Sequence, residues 1–418
     1  MITLEEACRF IKNEKTNVSK PGLERIHRLM RELGNPEKTM KMIHIVGTNG
    51  KGSVTAMLSG VLCASGHRVF LMSSPALYGL KDYYKLNNRE IPDESYCNAV
   101  EQVQKVCTTF PEEELPTEFE MSVAVGVLIA AEAKCDFLLL EAGMGGSKDA
   151  THLETPAVMT VITHIALDHM KYLGTEVTEI AKEKIGIAAE GEPIVLGRNE
   201  KEVYRTCSLY AFSHGNPFVY ANDPDITPDF DALGVRLQLP GLFQKENAKT
   251  VCAAVYALRM LGYPVPDTAV KKGLESVKLP FRCQIRRMNP YFIMDGGHNP
   301  DCIRALTDTL GQLPDSPKFT IVTGVMADKA YAEMYALLLP YAKRFITVTP
   351  DNPRSLPAKE LKKFLQALGA EAVAVKSLHD AAEHCADAYR NGANILCTGT
   401  LYMMSDLEYE LHACGLMI

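Results

Sequence analysis

The sequence predicts an α/β protein built of two mostly parallel sheets covered by helices, the first larger than the second. Three observations predict it. Met42–Ser53, MIHIVGTNGKGS, reads as a short buried strand running into a glycine-rich turn. After it, short apolar runs alternate with amphipathic helical stretches, the pattern of parallel strands joined by helical crossovers. That pattern restarts near Lys278–Phe281, which divides a chain of 418 residues at about residue 280. The length itself exceeds what one ordinary core encloses.

In chain order, Leu4–Lys12 and Leu23–Leu33 read as helices, broken at Lys20-Pro21-Gly22. Strands follow at Met42–Val46, Val69–Met72, Phe137–Glu141, Val158–Thr163 and Pro193–Leu196. Between them the spacing predicts helices at Ser53–Ala64, Glu94–Val106, Phe119–Lys134, Glu176–Ala188 and Glu200–Phe212. A polar stretch rich in proline and aspartate, Asn216–Ala232, interrupts the alternation before a run at Val235–Leu239 and a helix at Lys245–Leu261. In the second unit Tyr291–Met294, Phe319–Thr323, Phe345–Val348, Ala372–Val375 and Ile395–Thr398 read as strands. Helices at Cys302–Gly311, Ala330–Ala342, Ala358–Leu368, Asp380–Asn391 and Leu401–Cys414 separate them.

Composition narrows the function. The 47% apolar and 23% charged content is that of a folded soluble chain. A net charge of −7 argues against nucleic acid or an anionic membrane as partner, since both need a basic face. The charged N-terminus, MITLEEACRFIKNEK, is unsuited to a secretory signal, and no apolar run reaches membrane-spanning length. The twelve cysteines form no C-x-x-C pair and read as buried free thiols in a reducing cytoplasm.

The loop Gly47, Thr48, Asn49, Gly50, Lys51, Gly52, Ser53 is the candidate nucleotide site. Glycines allow successive N–H groups to face one anion, Lys51 brings a charge to the outer phosphates, and Ser53 offers a hydroxyl to Mg²⁺. A helix starting here adds its positive end. Gly52 separates Lys51 from Ser53, unlike the usual Gly-Lys-Ser/Thr ending. A glycine-rich loop alone is also found as a plain tight turn; strand, lysine and serine in order favour a nucleotide.

Other motifs sit at strand ends, where doubly wound sheets bind ligands. Phe137–Thr151, FLLLEAGMGGSKDAT, ends its strand in Glu141, placed to hold the Mg²⁺ of a nucleotide or to be an ordinary solvated glutamate. Asp168-His169 follows the next strand; a lone histidine is commonly structural. Lys184 lies in a helical segment where a lysine is normally on the surface. In the second unit Ile293–Pro300 (IMDGGHNP), Gly324–Lys329, Pro350–Leu356 and Thr398–Tyr402 all follow strands. Each alone is compatible with a turn; four on one edge favour a binding face.

Taken in order, these segments resemble the folylpolyglutamate synthase and dihydrofolate synthase family of Mur-type ATP-dependent amide ligases. The resemblance spans nearly the whole chain. It rests on GTNGKGS, SSP (Ser73–Pro75), T-x-F-E (Thr117–Glu120), EAGMGG-x-x-DAT (Glu141–Thr151) and LDHMKYLG (Leu167–Gly174). IAKEKIGI (Ile180–Ile187), LPG with Asn247-Ala248, DGGHNP, NPR and TGTLY continue it. It implies a P-loop Mur-ligase ATP-binding domain over 1–280 and a smaller Rossmann-like C-terminal ligase domain, binding glutamate, over 281–418.

By position, the resemblance implies that Gly50–Ser53 hold ATP phosphates and that Asn247, Arg282 and Asp295 contact the nucleotide. Ser74, Glu141 and His169 match Mg²⁺ ligands, with two ions expected. Lys184 matches a lysine carbamylated by CO₂. Thr117, Phe119, Glu120, Asp149 and Ala150 fall where the pterin-bearing substrate lies, and His298 and Thr400 near the incoming glutamate. The implied chemistry is attack of a carboxylate on the γ-phosphate, followed by attack of the glutamate amine on the acyl phosphate. Lys51 and Mg²⁺ offset the phosphoryl charge, a neutral His298 or a bound water is the candidate base, and domain closure excludes water. A cytoplasmic monomer is the family expectation.

The chain also departs from the family pattern. Ala76 replaces a histidine, Asp82-Tyr83-Tyr84 a Glu-Arg-Ile, Ser147 an arginine, His152 an asparagine and Phe243 a histidine. Ala330 stands for an aspartate and Thr400 for a serine. Most of these lie on the acceptor side, so an intact ligase with altered pterin recognition is expected. The rival readings are a ligase of another carboxylate and a nucleotide-binding regulator without catalysis.

Overall fold

The computed structural model describes residues 2–12, 22–226 and 234–417. Lys20 and Pro21 of the expected break, and residues 227–232 of the polar stretch, lie outside the described residues. The chain divides into two compact units, Met1–Leu237 with Glu246–Val277 and Gln238–Lys245 with Lys278–Ile418. Among the described residues no helix is long and apolar enough to cross a membrane.

The first unit is built on β1 (Lys41–Val46), β2 (Val69–Met72), β3 (Tyr84–Leu86), β4 (Arg89–Glu90), β5 (Phe137–Glu141), β6 (Met159–Ile162), β7 (Ile194–Leu196) and β8 (Phe218–Tyr220). Their order is β4-β3-β2-β5-β1-β6-β7-β8. All pairings are parallel except those of β3, which runs against β2 and β4 at the edge. β2, β5, β6 and β7 are buried at every residue, which explains their almost wholly apolar sequence, in which Glu141 and Thr160 are the polar residues. Helix Glu118–Glu132 is apolar all round because it is buried on nearly every face from Glu120 to Ala130. It packs with Tyr84, Tyr96 and Phe70 in one core; Val46, Ile162, Ile180 and Leu196 belong to a second.

His44 in β1 is fully buried among these strands, with Nε2 at 2.9 Å from the Thr151 carbonyl. Burial pulls its proton affinity down to about 4 from 6.5. The unfolded chain therefore binds this proton first, and stability falls as pH drops from about 6.5 to about 4. Buried Glu192, raised to about 7 by burial, acts in the opposite direction over the upper part of that range. It is common to parent and variant, so it cancels in their difference. We expect His44→Gln to flatten the acid limb of urea midpoints measured between pH 4 and 7. Parallel profiles for the two proteins would refute this.

The second unit contains β9 (Gln284–Met288), β10 (Tyr291–Met294), β11 (Phe319–Thr323), β12 (Ala342–Thr347), β13 (Ala372–Ala374) and β14 (Asn394–Thr398). They lie in the order β13-β12-β11-β14-β10-β9, parallel except for β9. Phe319, Ile321, Tyr335, Phe345 and Leu396 anchor its core.

Several expectations change. Phe218–Tyr220, placed in the polar stretch, is a strand beside β7. Val235–Leu239 forms no strand, and the Arg236 N–H is taken by the Glu275 carboxylate at 3.0 Å. The β3–β4 hairpin turns through Asn87 and Asn88 at φ 50° and 60°, a left-handed pair that asparagine tolerates. The helix expected to reach Ala342 ends at Leu338, and a 3-10 turn carrying Pro340 follows. All twelve cysteines are free, with Cys8, Cys63, Cys302 and Cys414 half-buried and the rest buried.

Candidate active site

The glycine-rich loop leaves the carboxyl end of β1, where strand order reverses, the place where open α/β sheets bind their ligands. Gly50 sits at φ 87° just before helix Lys51–Ala64. A Cβ there would lie 2.4 Å from Asn247 Oδ1, and one on Gly47 1.9 Å from Thr163 Oγ1. The loop is thus bare backbone by steric necessity, at a helix start where N–H groups attract anions. Neighbours hold it rigidly: the N–H groups of Thr48 and Asn49 donate to the His164 carbonyl, and Thr163 Oγ1 donates to the Asn49 carbonyl at 2.7 Å. Lys51 Nζ folds back onto the Gly47 and Thr48 carbonyls at 3.2 and 3.1 Å. Ser53 is buried in the first turn.

Glu141, the last residue of β5, is buried. Its Oε2 accepts from Ser73 Oγ at 2.5 Å and from the Ser74 N–H at 3.4 Å. Beyond it Asp149, also buried, ties its own loop together through the Met144 and Thr151 N–H groups at 2.9 and 3.0 Å. Burial raises the Asp149 proton affinity. Lys184 is no surface residue: it is 4% exposed, and its Nζ donates to the Gly47 carbonyl at 2.8 Å. Burial, and then the charge of Lys51, push its proton affinity down to about 7. Glu141, Ser74 and Ser53 offer only oxygen donors, which suits a hard cation such as Mg²⁺.

The remaining expected residues of the first unit have local partners of their own. His169 stands at the residue before helix Met170–Leu173, at φ 52°, with Nε2 at 4.0 Å from Asp168 Oδ2. Thr117 caps helix Glu118–Glu132 in a capping box with Glu120, whose carboxylate also takes two bonds from Arg25. Phe119 packs on Gly143, where an added Cβ would lie 2.9 Å from its ring. Ala150 borders the first core.

In the second unit the loops after β10, β11, β12 and β14 share one edge because those strands are parallel. They approach closely: a Cβ on Gly399 would lie 2.3 Å from the Gly324 carbonyl, and one on Gly324 2.7 Å from Pro350. Asp295 is buried, accepting from the Cys283 and Gly297 N–H groups at 2.7 and 2.8 Å. Burial raises its proton affinity, and these two N–H bonds, then Arg282, oppose this. His298 Nδ1 lies 3.1 Å from the Gly296 carbonyl, and Asn299 caps helix Pro300–Leu310. Buried Thr400 accepts from the Tyr402 N–H at 3.3 Å. Arg354 joins three of the loops, bonding Asp328 at 3.1 Å and lying 5.8 Å from the centre of the Tyr402 ring.

Sequence reasoning missed Ser73, Thr163, His164 and Asn199. Ser73 had a signal in its SSP motif. His164 acts through its carbonyl, which no residue type announces. Asn199 receives the Ile165 N–H and donates to the Thr163 and Gly197 carbonyls, a bridge visible only once β6 and β7 are paired.

A nucleotide-type loop in one α/β unit and a four-loop edge in another define a Mur-type ligase. The Mur ligase middle domain matches residues 45–255, and the Mur ligase glutamate ligase domain matches residues 281–401. The dihydrofolate synthase/folylpolyglutamate synthase of Bacillus subtilis is 31% identical over 94% of this chain and 95% of its own. The folylpolyglutamate synthase of Lacticaseibacillus casei is 31% identical over 93% and 94%. Among solved structures, Escherichia coli FolC in complex with DHPP and ADP superposes with a TM-score of 0.86 at 26% identity, covering 99% of this chain and 98% of that one. Mycobacterium tuberculosis folylpolyglutamate synthase, complexed with ADP and AMPPCP, gives 0.84 at 26% identity over 94% and 95%. The chain belongs to the folylpolyglutamate synthase/dihydrofolate synthase family of Mur ligases.

Proposed function

We propose that this chain is an ATP- and Mg²⁺-dependent ligase that joins L-glutamate to a folate, to dihydropteroate, or to both, through an acyl phosphate. One observation carries the reading. The amine of Lys184 is buried on the carbonyl of Gly47 in a rigid phosphate-type loop, beside Lys51. In this reading the first unit binds ATP through Gly47–Ser53 and Asn247, and the second binds glutamate through His298 and Thr400. Arg282 and Asp295 serve the nucleotide. Ser53, Ser74, Glu141 and His169 are the residues that would hold Mg²⁺, which would supply charge neutralisation at the phosphoryl oxygens.

Lys51 places its ammonium against the charge that develops during phosphoryl transfer. With the His298 Nδ1–H donating to the Gly296 carbonyl, the ring's lone pair rests on Nε2. That nitrogen takes the proton the glutamate ammonium must lose before its amine attacks. A proton affinity near 7 leaves about half of Lys184 as neutral amine at neutral pH. The neutral amine can bond to the carbon of CO₂ and release a proton, giving a carbamate anion. The free thiols fit a reducing cytoplasm.

A second reading, a ligase for a different carboxylate acceptor, draws support from Ala76 and Tyr83. The neighbouring departures are absorbed by the fold. The Tyr84 hydroxyl donates to the Ser122 carbonyl in the core, and Asp82 holds the Leu77 N–H and Lys85. The test is ATP-dependent phosphate release with L-glutamate, comparing dihydropteroate, tetrahydrofolate and no acceptor. We expect strong stimulation by at least one. Stimulation by neither, with ATP still bound, would reject the folate reading in favour of another acid, and no acid-stimulated turnover at all would favour a regulator.

A further inference from the structure

Lys184 lies in the last turn of helix Val177–Ile185, and its amine reaches the Gly47 carbonyl at 2.8 Å. The loop after β5 packs against this helix end. A Cβ on Gly146 would lie 2.4 Å from the Lys184 carbonyl oxygen and 2.8 Å from its Cα, so the loop rests directly on the lysine's backbone. The next residue grips the helix at two points. The Ser147 N–H donates to the Glu183 carbonyl at 2.9 Å, and Ser147 Oγ donates to Glu183 Oε1 at 2.7 Å. Ser147 is itself held from behind, its carbonyl 2.8 Å from His152 Nδ1. The loop is further braced by the Asp149 N–H on the Gly146 carbonyl at 3.0 Å.

We propose that Ser147, acting through Glu183, is a positioning residue that holds the Lys184 amine on the Gly47 carbonyl of the phosphate-type loop. The choice of residue matters. A hydroxyl donates one bond and leaves the Glu183 carboxylate its full negative charge one residue from Lys184. An arginine at position 147, which the family pattern favours, would neutralise that charge. Serine therefore fixes the helix end without removing the anion beside the amine. The two positions singled out as departures, Ser147 and His152, are parts of one clamp.

The functional half of this inference rests on the ligase reading, so its test has one arm that does not. Parent, Ser147→Ala, Ser147→Thr, Glu183→Ala and the Ser147→Ala/Glu183→Ala double variant are compared as full chains. In the first arm each is labelled with cyanate in CO₂-free buffer and modification of Lys184 is followed by peptide mass spectrometry. We expect labelling several-fold faster in Ser147→Ala and Glu183→Ala, parental rates in Ser147→Thr, and no further increase in the double variant. In the second arm, kcat falls about tenfold in Ser147→Ala with KM for ATP nearly unchanged, and threonine restores it. Unchanged Lys184 labelling in both alanine variants, additive effects in the double variant, or failure of threonine to restore the rate would each overturn the clamp. A parent that turns over neither folate acceptor would reject the ligase reading alone, and the labelling arm would still decide the clamp.

Discussion

Lys184→Met is expected to lower turnover about a thousandfold while making the protein more resistant to urea at neutral pH. The two effects have one cause. Lys184 lies 4% exposed beside Lys51, and its proton affinity falls from 10.5 to about 7. The unfolded chain binds the same proton with its ordinary affinity. Between pH 7 and 10.5 the unfolded state therefore carries more of that proton, and stability rises with pH across the window. Below about pH 7 the native state bears the whole penalty, on the order of a few kcal/mol. Methionine keeps the length of the side chain, removes the penalty, and gives up one hydrogen bond to Gly47, a loss of about 1 kcal/mol. The balance favours the variant at pH 6.5 and fades toward pH 10.5. Urea midpoints at pH 6.5 and 10, beside turnover at pH 7.5, would check it. Equal midpoints at pH 6.5 would show that the buried amine is not under strain, and retained turnover would remove Lys184 from the mechanism.

The reading of Lys184 also shows how far the sequence could be followed. Strands such as β1, β5 and β11 were legible because burial on both faces leaves a short run of mostly apolar, often β-branched residues, interrupted only by single polar residues such as His44 and Thr320. The phosphate-type loop was legible because its backbone admits only glycine at positions 47 and 50. Short strands were not. β8 is three residues inside a polar stretch, and only its pairing with β7 makes it a strand. Burial of a charged side chain is set by elements far apart in sequence, so Lys184 read alone was a surface lysine. The family resemblance singled it out, and the structure supplies the physical reason, the carbonyl of Gly47 in a distant loop. Thr117 and Glu120 illustrate the converse. The family resemblance placed both beside the substrate; the structure adds that they form a capping box at the start of helix Glu118–Glu132, with the Glu120 carboxylate bonded to the Thr117 N–H and to Arg25, a contact that the sequence reading did not anticipate.

The phosphate-type loop depends on a contact far from it, and Gly273→Ala is expected to expose that dependence. Helix Lys51–Ala64 begins at the loop and crosses helix Asp267–Ser276 through two glycines. A Cβ on Gly273 would sit 2.4 Å from both the N and Cα of Val61, and one on Gly60 2.8 Å from the Gly273 carbonyl. These neighbours are backbone, so no rotamer change relieves the overlap; one helix must move. Alanine is the better helix former by about 1 kcal/mol, which opposes the clash. Forcing backbones apart in a packed core costs about 1–3 kcal/mol and sometimes more, and here the displaced helix carries the loop itself. The clash wins. We expect Gly273→Ala to lose about 2 kcal/mol of stability and to bind ATP more weakly, because Lys51 and Ser53 move with their helix. Lys272→Ala, exposed one residue away, should stay within about 0.5 kcal/mol of the parent with ATP affinity unchanged. Urea unfolding and ATP titration of both variants decide the matter. A Gly273→Ala protein as stable as the parent would mean that the helices have room to part. Lost stability with unchanged ATP affinity would mean that the loop is fixed by β1 and His164 rather than by the helix behind it.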